Sequence, residues 1–195
     1  MIRMLDFTFS IIGLIIFSPF IVIMSVFICI ESKGSAFYFQ ERIGMNGIPF
    51  KLFKFRSMKI NSDKSGLLTI GMNDSRITKL GSILRKYKID EIPQLWNVLK
   101  GEMSVVGPRP EVKKYTDLYT ASQRKVLTVR PGMTDLASIV FSNENELLEN
   151  QKNPEQYYIL NILPRKIELN LKFIDNPNMF NYFNIILKTV FKILK

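Results

Sequence analysis

The sequence predicts an α+β chain, mostly helical, with an N-terminal membrane helix, one small β-hairpin and amphipathic helices at the membrane interface. Three observations carry this. An apolar run fills the N-terminus, Asn46-Gly47 divides two short alternating segments, and apolar residues recur at helical spacing through much of the remainder. No repeat or linker divides the rest of the 195 residues, so the chain reads as a membrane-embedded segment, 1–32, followed by one domain, 33–195.

From Phe7 to Ile30 no residue is charged. As a helix this stretch is roughly 36 Å long, enough for a hydrocarbon core of about 30 Å. It is too long for the apolar region of a signal peptide, and no small-residue cleavage site follows it. Ser18-Pro19 lies near its middle. Proline has no N–H and crowds the carbonyl four residues back, that of Ile15, which the Ser18 hydroxyl is placed to satisfy. Two topologies follow: a kinked span, or a re-entrant helix that turns back at Ser18-Pro19 and leaves both ends cytoplasmic. Sequence physics alone favours the span.

The hairpin is expected in "FYFQERIGMNGIPFKLFKFRSM", with Asn46-Gly47 as a two-residue turn. In its second strand Phe53 and Phe55 share one face, and Lys54 and Arg56 share the other, either as a solvated face or as part of a positive site. Residues 60–76 read as a loop. An amphipathic helix follows, carrying Ile77, Leu80, Leu84 and Tyr87. Pro93 then opens a second helix with Ile92, Leu95, Trp96 and Leu99 on one stripe. "GEMSVVGPRPE" reads as turn and short strand, 113–127 as helix, and "RPGMTD" as a turn around Pro131-Gly132. The tail is helical again from Pro164. Its last segment places Lys188, Lys192 and Lys195 on one face, a pattern suited equally to a membrane interface or to packing on the domain.

The net charge is +10. Arg3, Asp6 and Glu31 give residues 1–31 a net −1, so the remainder carries +11. A basic body after an apolar segment fits the cytoplasmic face of a membrane, held against anionic lipids. Nucleic-acid binding is the other use of such charge, and the anchor argues against it.

Composition also removes chemistries. With no histidine there is no Ser-His triad and no histidine base. The one cysteine, Cys29, sits in the apolar run, which excludes an intrachain disulfide and leaves zinc without its usual ligands. No Walker A sequence is present. Carboxylate chemistry remains, with a hard cation such as Mg²⁺. Asp90 and Glu91, adjacent in "KIDEIPQ", fit it. Neighbouring side chains point apart, so each would take a different role, one as nucleophile and one as metal ligand. A helix N-terminus would keep both ionised. Acids stabilising a helix start are the plainer account, and both stay open here. Arg109 in "GPRP" offers a planar fork for phosphate, or a salt bridge, for example with Glu111. Lys54, Arg56 and Arg85 would extend the positive surface.

At these residues the chain resembles the bacterial sugar transferases, the monotopic polyprenyl-phosphate phosphoglycosyl transferases. The resemblance covers nearly the whole chain, through the apolar anchor with Ser18-Pro19, "QERIG", "FKFRSM", "LRKYKIDEIPQLWNVLKGEMSVVGPRPE" and "RPGMTD". It implies transfer of a sugar-1-phosphate from a UDP-sugar to undecaprenyl phosphate, initiating a surface glycan at the bacterial inner membrane. Asp90 would attack the β-phosphate, releasing UMP and forming a phosphosugar-aspartyl intermediate. Glu91 would ligate Mg²⁺ and assist proton transfer, Arg109 would bind phosphate, and Arg85 would lie near phosphate or headgroups. It also implies that Ser18-Pro19 breaks the anchor into a re-entrant helix, reversing the unaided preference, and that the chain is a minimal catalytic form. One departure stands out: many relatives place glycine after "RPGMT", where this chain has Asp135. The non-enzymatic alternative is a membrane-bound assembly protein that recruits partners through its basic face. A homodimer through the helices fits either reading.

Overall fold

A computed structural model describes residues 1–62, 68 and 74–193. The expected loop residues 63–67 and 69–73, and Leu194 with Lys195, the last lysine of the expected C-terminal face, lie outside the described residues.

Helix α1 (Ile2–Glu31) opens the chain. It is long and apolar enough to cross a membrane, and only 6% of its most apolar stretch is buried, unlike a soluble core helix. Ser18 and Pro19 lie inside it, and the helix continues through them without interruption. An interruption of helical structure at the expected break is therefore absent, and the proline is accommodated inside the helix. The Ser18 hydroxyl donates to the carbonyl of Ile15 at 2.8 Å, replacing the partner that Pro19 cannot supply.

Both ends of α1 are bound to the body. At the start, Arg3 donates to the carbonyls of Val98 and Leu99 at 2.6 and 3.0 Å. Asp6 is buried, and its Oδ1 accepts from the Ser104 hydroxyl, the Val105 N–H and the Tyr182 hydroxyl at 3.0, 3.0 and 2.7 Å. At the far end Ile28 packs with Ala36, Phe55 and Leu84, and Glu31 accepts from the Leu80 N–H.

The antiparallel hairpin joins β1 (Phe37–Ile43) to β2 (Pro49–Phe55). Its loop is longer than a two-residue turn, because pairing stops at Ile43 and Pro49 and a short 3₁₀ turn, Met45–Gly47, fills the gap. Asn46 and Gly47 both have positive φ there, at 58° and 76°, which accounts for their identities. Phe37, Phe39, Phe53 and Phe55 stack on one face of the hairpin. By register Tyr38, Gln40, Arg42 and Lys54 share the other.

Helix α2 (Lys79–Lys86) is N-capped by the Thr78 hydroxyl and buries Leu84, while Tyr87 stays exposed. The next segment departs from expectation. Pro93 does not open a helix. It lies within a 3₁₀ turn, Ile89–Gln94, and α3 (Leu95–Lys100) begins after it. The buried face of this stretch is polar: Gln94 and Asn97 point inward with Val98, and Trp96 is exposed. Asn97 explains the inversion. Its amide accepts from the Phe53 N–H at 2.9 Å and donates to the Lys51 carbonyl and Glu102 at 2.8 and 2.7 Å, tying α3 to β2. Of the expected apolar stripe, Leu95 lies against Gly13 of α1, on which α3 packs.

Strand β3 (Ser104–Val106) precedes the "GPRP" loop. The expected helix over 113–127 is two short pieces, α4 (Lys113–Thr116) and a 3₁₀ turn, Gln123–Thr128. Between them the Thr120 N–H and hydroxyl bond the side chains of Gln123 and Ser122, which competes with helix continuation. "RPGMTD" is also more than a turn. Gly132–Thr134 forms β4, parallel to β3. Gly107 and Gly132 approach so closely that a Cβ on Gly132 would collide with the backbone of Gly107.

Helices α5 (Leu136–Val140), α6 (Glu144–Glu149), α7 (Pro154–Tyr157), α8 (Leu163–Asp175) and α9 (Met179–Ile193) complete the chain. A π-helical segment, Tyr158–Ile162, joins α7 to α8, so helical structure starts at Pro154 rather than Pro164. Tyr158, Ile162, Leu163 and Ile167 form the largest core cluster with Val112, Tyr115, Tyr119, Val126 and Leu148. Each fully buried aliphatic side chain contributes about 1.5–3 kcal/mol. Helix α9 buries Tyr182 and Ile185 and exposes Phe180, Leu187 and Phe191, and Phe183 meets Phe9 of α1 edge to face.

Candidate active site

The site is built on the 3₁₀ turn Ile89–Gln94, which carries Asp90 and Glu91 in its first turn. Lys88 precedes it in the left-handed conformation, φ 56°. That is an uncommon position for a side chain of this size. It stops α2 and redirects the chain, and the Glu91 N–H then bonds the Lys88 carbonyl at 3.2 Å. The turn packs on β2, which places the acids against the polar face of the hairpin.

The two carboxylates have opposite environments. Glu91 is gripped by Arg109, whose Nη1 donates to Oε2 at 3.0 Å and whose Nη2 donates to Oε1. This is the fork geometry that arginine offers a carboxylate. Burial works against the charged Glu91, but the Arg109 charge and hydrogen bonds outweigh it and hold the carboxyl at about 2. The Arg109 guanidinium is in turn pushed up by Glu91. Glu111, the partner expected for Arg109, is engaged elsewhere, with the Tyr158 hydroxyl at 2.5 Å and Arg42 at 3.6 Å.

Asp90 is 7% exposed, and among the described residues its Oδ1 has no hydrogen-bond partner; nor does Nε2 of the buried Gln94. Burial, reinforced by the negative charge of Glu91, pushes Asp90 up to about 6 against the pull of Lys54, Arg85 and Lys88. Lys54 is itself lowered to about 8 by burial and by Arg42. Arg42 donates to Gln40 Oε1 at 2.8 and 3.2 Å and to the Pro110 carbonyl at 3.0 Å, bracing the hairpin against the Arg109 loop.

The structure therefore brings together Asp90, Glu91, Arg109, Lys54 and Arg85. It does not bring in Arg56. That side chain is buried and donates to the carbonyls of Ser32, Lys33 and Ile28 at 2.6, 3.0 and 3.4 Å and to the Ser32 hydroxyl at 3.0 Å. It closes the C-terminus of α1, where a cation meets the negative end of the helix and its unpaired carbonyls. Sequence reasoning missed Arg42, Gln40 and Lys88. The first two join the face of Lys54 only in the observed register, which the longer loop sets; the two-residue turn expected at Asn46-Gly47 would have paired Gln40 with Phe53 on the opposite face. Nothing in the sequence marks Lys88.

A buried carboxylate oxygen without a partner, beside a second carboxylate, suits a hard cation. Magnesium is commonly held by one or two carboxylates with substrate phosphates and water filling the other positions. Among the described residues no cluster of three or more acidic, histidine or cysteine side chains forms a complete cage. The donor set thus fits an ion shared with a phosphate ligand, and each Glu91 oxygen keeps a lone pair beyond its bond to Arg109.

The sequence model of the bacterial sugar transferase family matches residues 1–195. A protein of Bacillus subtilis (strain 168), provisionally named an undecaprenyl-phosphate N-acetylgalactosaminyl 1-phosphate transferase, is 50% identical over 117 residues, covering 60% of this chain and 65% of its own. The UDP-glucose:undecaprenyl-phosphate glucose-1-phosphate transferase of Klebsiella pneumoniae is 37% identical over 176 residues, covering 88% of this chain and 38% of its own. The uncharacterized sugar transferase EpsL of Bacillus subtilis (strain 168) is 36% identical over 192 residues, covering 98% and 86%. The chain thus spans between about two fifths and two thirds of the length of the first two of these relatives. With a match over its whole length, the chain belongs to the bacterial sugar transferase family.

Proposed function

We propose that this protein transfers a sugar-1-phosphate from a UDP-sugar to undecaprenyl phosphate, through a covalent intermediate on Asp90. One observation carries the reading: a buried carboxylate with an unpartnered oxygen sits beside a carboxylate fixed by arginine, among several cations. The names of the relatives support the substrate classes. Those names differ in the sugar, which is left open.

Asp90, once ionised, attacks the β-phosphorus. A bond forms from its carboxylate oxygen, and the bond to the bridging oxygen breaks, so that UMP leaves with that oxygen. A phosphate oxygen of undecaprenyl phosphate then attacks the same phosphorus and frees Asp90. Lys54 and Arg85 offset the negative charge of the incoming phosphates, which would otherwise repel the anionic nucleophile. Arg109 holds Glu91 ionised and lends positive charge at the rim. Glu91 would hold Mg²⁺ beside Asp90, and the ion would neutralise phosphate oxygens when bound.

Residues 1–32 are embedded in the membrane, and 33–195 work on the cytoplasmic face of the inner membrane. The support is mechanical: Arg3 and Asp6 at one end of α1, and Ile28 and Glu31 at the other, are tied to the same body, as a re-entrant segment requires. The exposed apolar residues of α1 and α9 meet at Phe9 and Phe183, and this surface faces lipid.

The test is UMP release from a panel of UDP-sugars with undecaprenyl phosphate and Mg²⁺. The expected result is release with at least one sugar, abolished in Asp90→Asn. Full release by that variant refutes the assignment and favours a protein that acts only through its basic face.

A further inference from the structure

Arg109 lies in a loop between two prolines, and something must fix that loop in the orientation that meets Glu91. The backbone supplies part of the restraint. The Gly107 N–H donates to the Thr134 carbonyl at 3.0 Å and the Gly132 N–H to the Pro108 carbonyl at 2.9 Å, so the loop is docked on β4. The residue after β4 completes it. Asp135 is 2% exposed and takes three donors on two oxygens. Oδ2 accepts from the Arg109 N–H at 3.0 Å and from Asn170 Nδ2 of α8 at 2.8 Å. Oδ1 accepts from the Ser138 N–H at 2.5 Å, capping α5.

We propose that Asp135 is a positioning residue for the transfer reaction, seating Arg109 through its backbone N–H so that the guanidinium reaches Glu91. This deepens the function proposed above and rests on it. It also gives a role to the residue found where many relatives are expected to have glycine. A carboxylate suits the position because all three neighbours donate and only a group with acceptors alone satisfies them. An asparagine would set its NH₂ against one of these donors, leaving buried hydrogen-bonding groups unmade. The consequence would pass to Arg109, and misplacement by about 1 Å can cost on the order of 10²-fold in rate.

Capping α5 and tying α8 are structural duties of the same carboxylate, so the test separates them from positioning. Asp135→Asn should lower both the apparent Tm and kcat/KM, the latter by tenfold or more. The exchanged pair Asp135→Asn with Asn170→Asp restores a donor–acceptor contact to α8 and leaves an oxygen for the Ser138 N–H. It still turns NH₂ toward the Arg109 N–H. It should recover most of the Tm while kcat/KM stays down. Asn170→Ala breaks the α8 contact alone and should lower Tm with kcat/KM within about twofold of wild type. Hydrogen exchange at the Arg109 amide, which needs no turnover, should quicken in the first two proteins and stay slow in the third. Recovery of kcat/KM together with Tm in the exchanged pair, or unchanged Arg109 exchange in Asp135→Asn, overturns the proposal. Absence of UMP release from the wild-type protein instead refutes the functional reading, and the exchange measurement still decides whether Asp135 seats Arg109.

Discussion

Replacing Asp90 by asparagine should make the protein more stable while destroying its activity. Burial raises the Asp90 carboxyl from 3.8 to about 6, so its ionised form is disfavoured in the folded state. At about 1.4 kcal/mol per unit, that shift costs the folded protein about 3 kcal/mol at pH 7.5. The sign follows from linkage: between the unfolded and folded values the folded state binds more protons, so stability falls as pH rises from about 4 to about 6. Asparagine keeps the shape and carries no charge, so the variant escapes the cost. For a chain of this size each kcal/mol moves Tm by about 2–4 °C, so a gain of about 6–12 °C is expected at pH 7.5. At pH 5 the wild-type group is largely protonated when folded and the advantage shrinks to about half. Thermal unfolding of both proteins in the same detergent, without divalent cations, measures this. An unchanged or lower Tm for the variant at pH 7.5, or a gain that does not shrink at pH 5, would refute the account of a strained carboxylate.

Three further outcomes follow. Arg109→Gln strands Glu91 without its fork; removing one partner of such a pair costs about 3–5 kcal/mol when fully buried, less here since Arg109 is one-third exposed, so a Tm loss of several degrees should accompany a large loss of UMP release. Arg56→Ala removes bonds that close α1 and should destabilise by about 2–3 kcal/mol while kcat/KM per folded molecule is unchanged; a specific rise in KM would return Arg56 to the substrate site. In a Cys29→Ser background, cysteines placed at Met4 and Lys33 should both resist an impermeant maleimide in intact cells and react in inverted membranes; labelling of position 4 from outside would sink the re-entrant topology.

The parts of this fold legible in the sequence are those set by local pattern. The uncharged run announces α1, alternation around Asn46-Gly47 announces the hairpin, and the helical spacing of Ile77, Leu80, Leu84 and Tyr87 announces α2. Asp90, Glu91 and Arg109 followed from elimination and from the family resemblance, and the structure places all three together. What local pattern could not show depends on distant partners. Arg56 looked like a member of the Lys54 face until the last turn of α1 and the two residues after it supplied three carbonyls. Pro93 looked like a helix start, whereas Lys88 in the left-handed conformation begins the turn earlier. Asn97 inverted the buried face of α3 through bonds to a strand more than forty residues away. Asp135 drew its meaning from Arg109 and Asn170, neither of them near it in sequence.

The central claim is that Asp90 is the nucleophile, and a trapped adduct tests it most directly. Wild-type protein mixed with its UDP-sugar and Mg²⁺, without lipid acceptor, and quenched rapidly should gain the mass of one phosphosugar, mapped to the peptide that holds Asp90 and absent from Asp90→Asn. Release of UMP with no adduct on this peptide, or an adduct on another residue, would contradict the account.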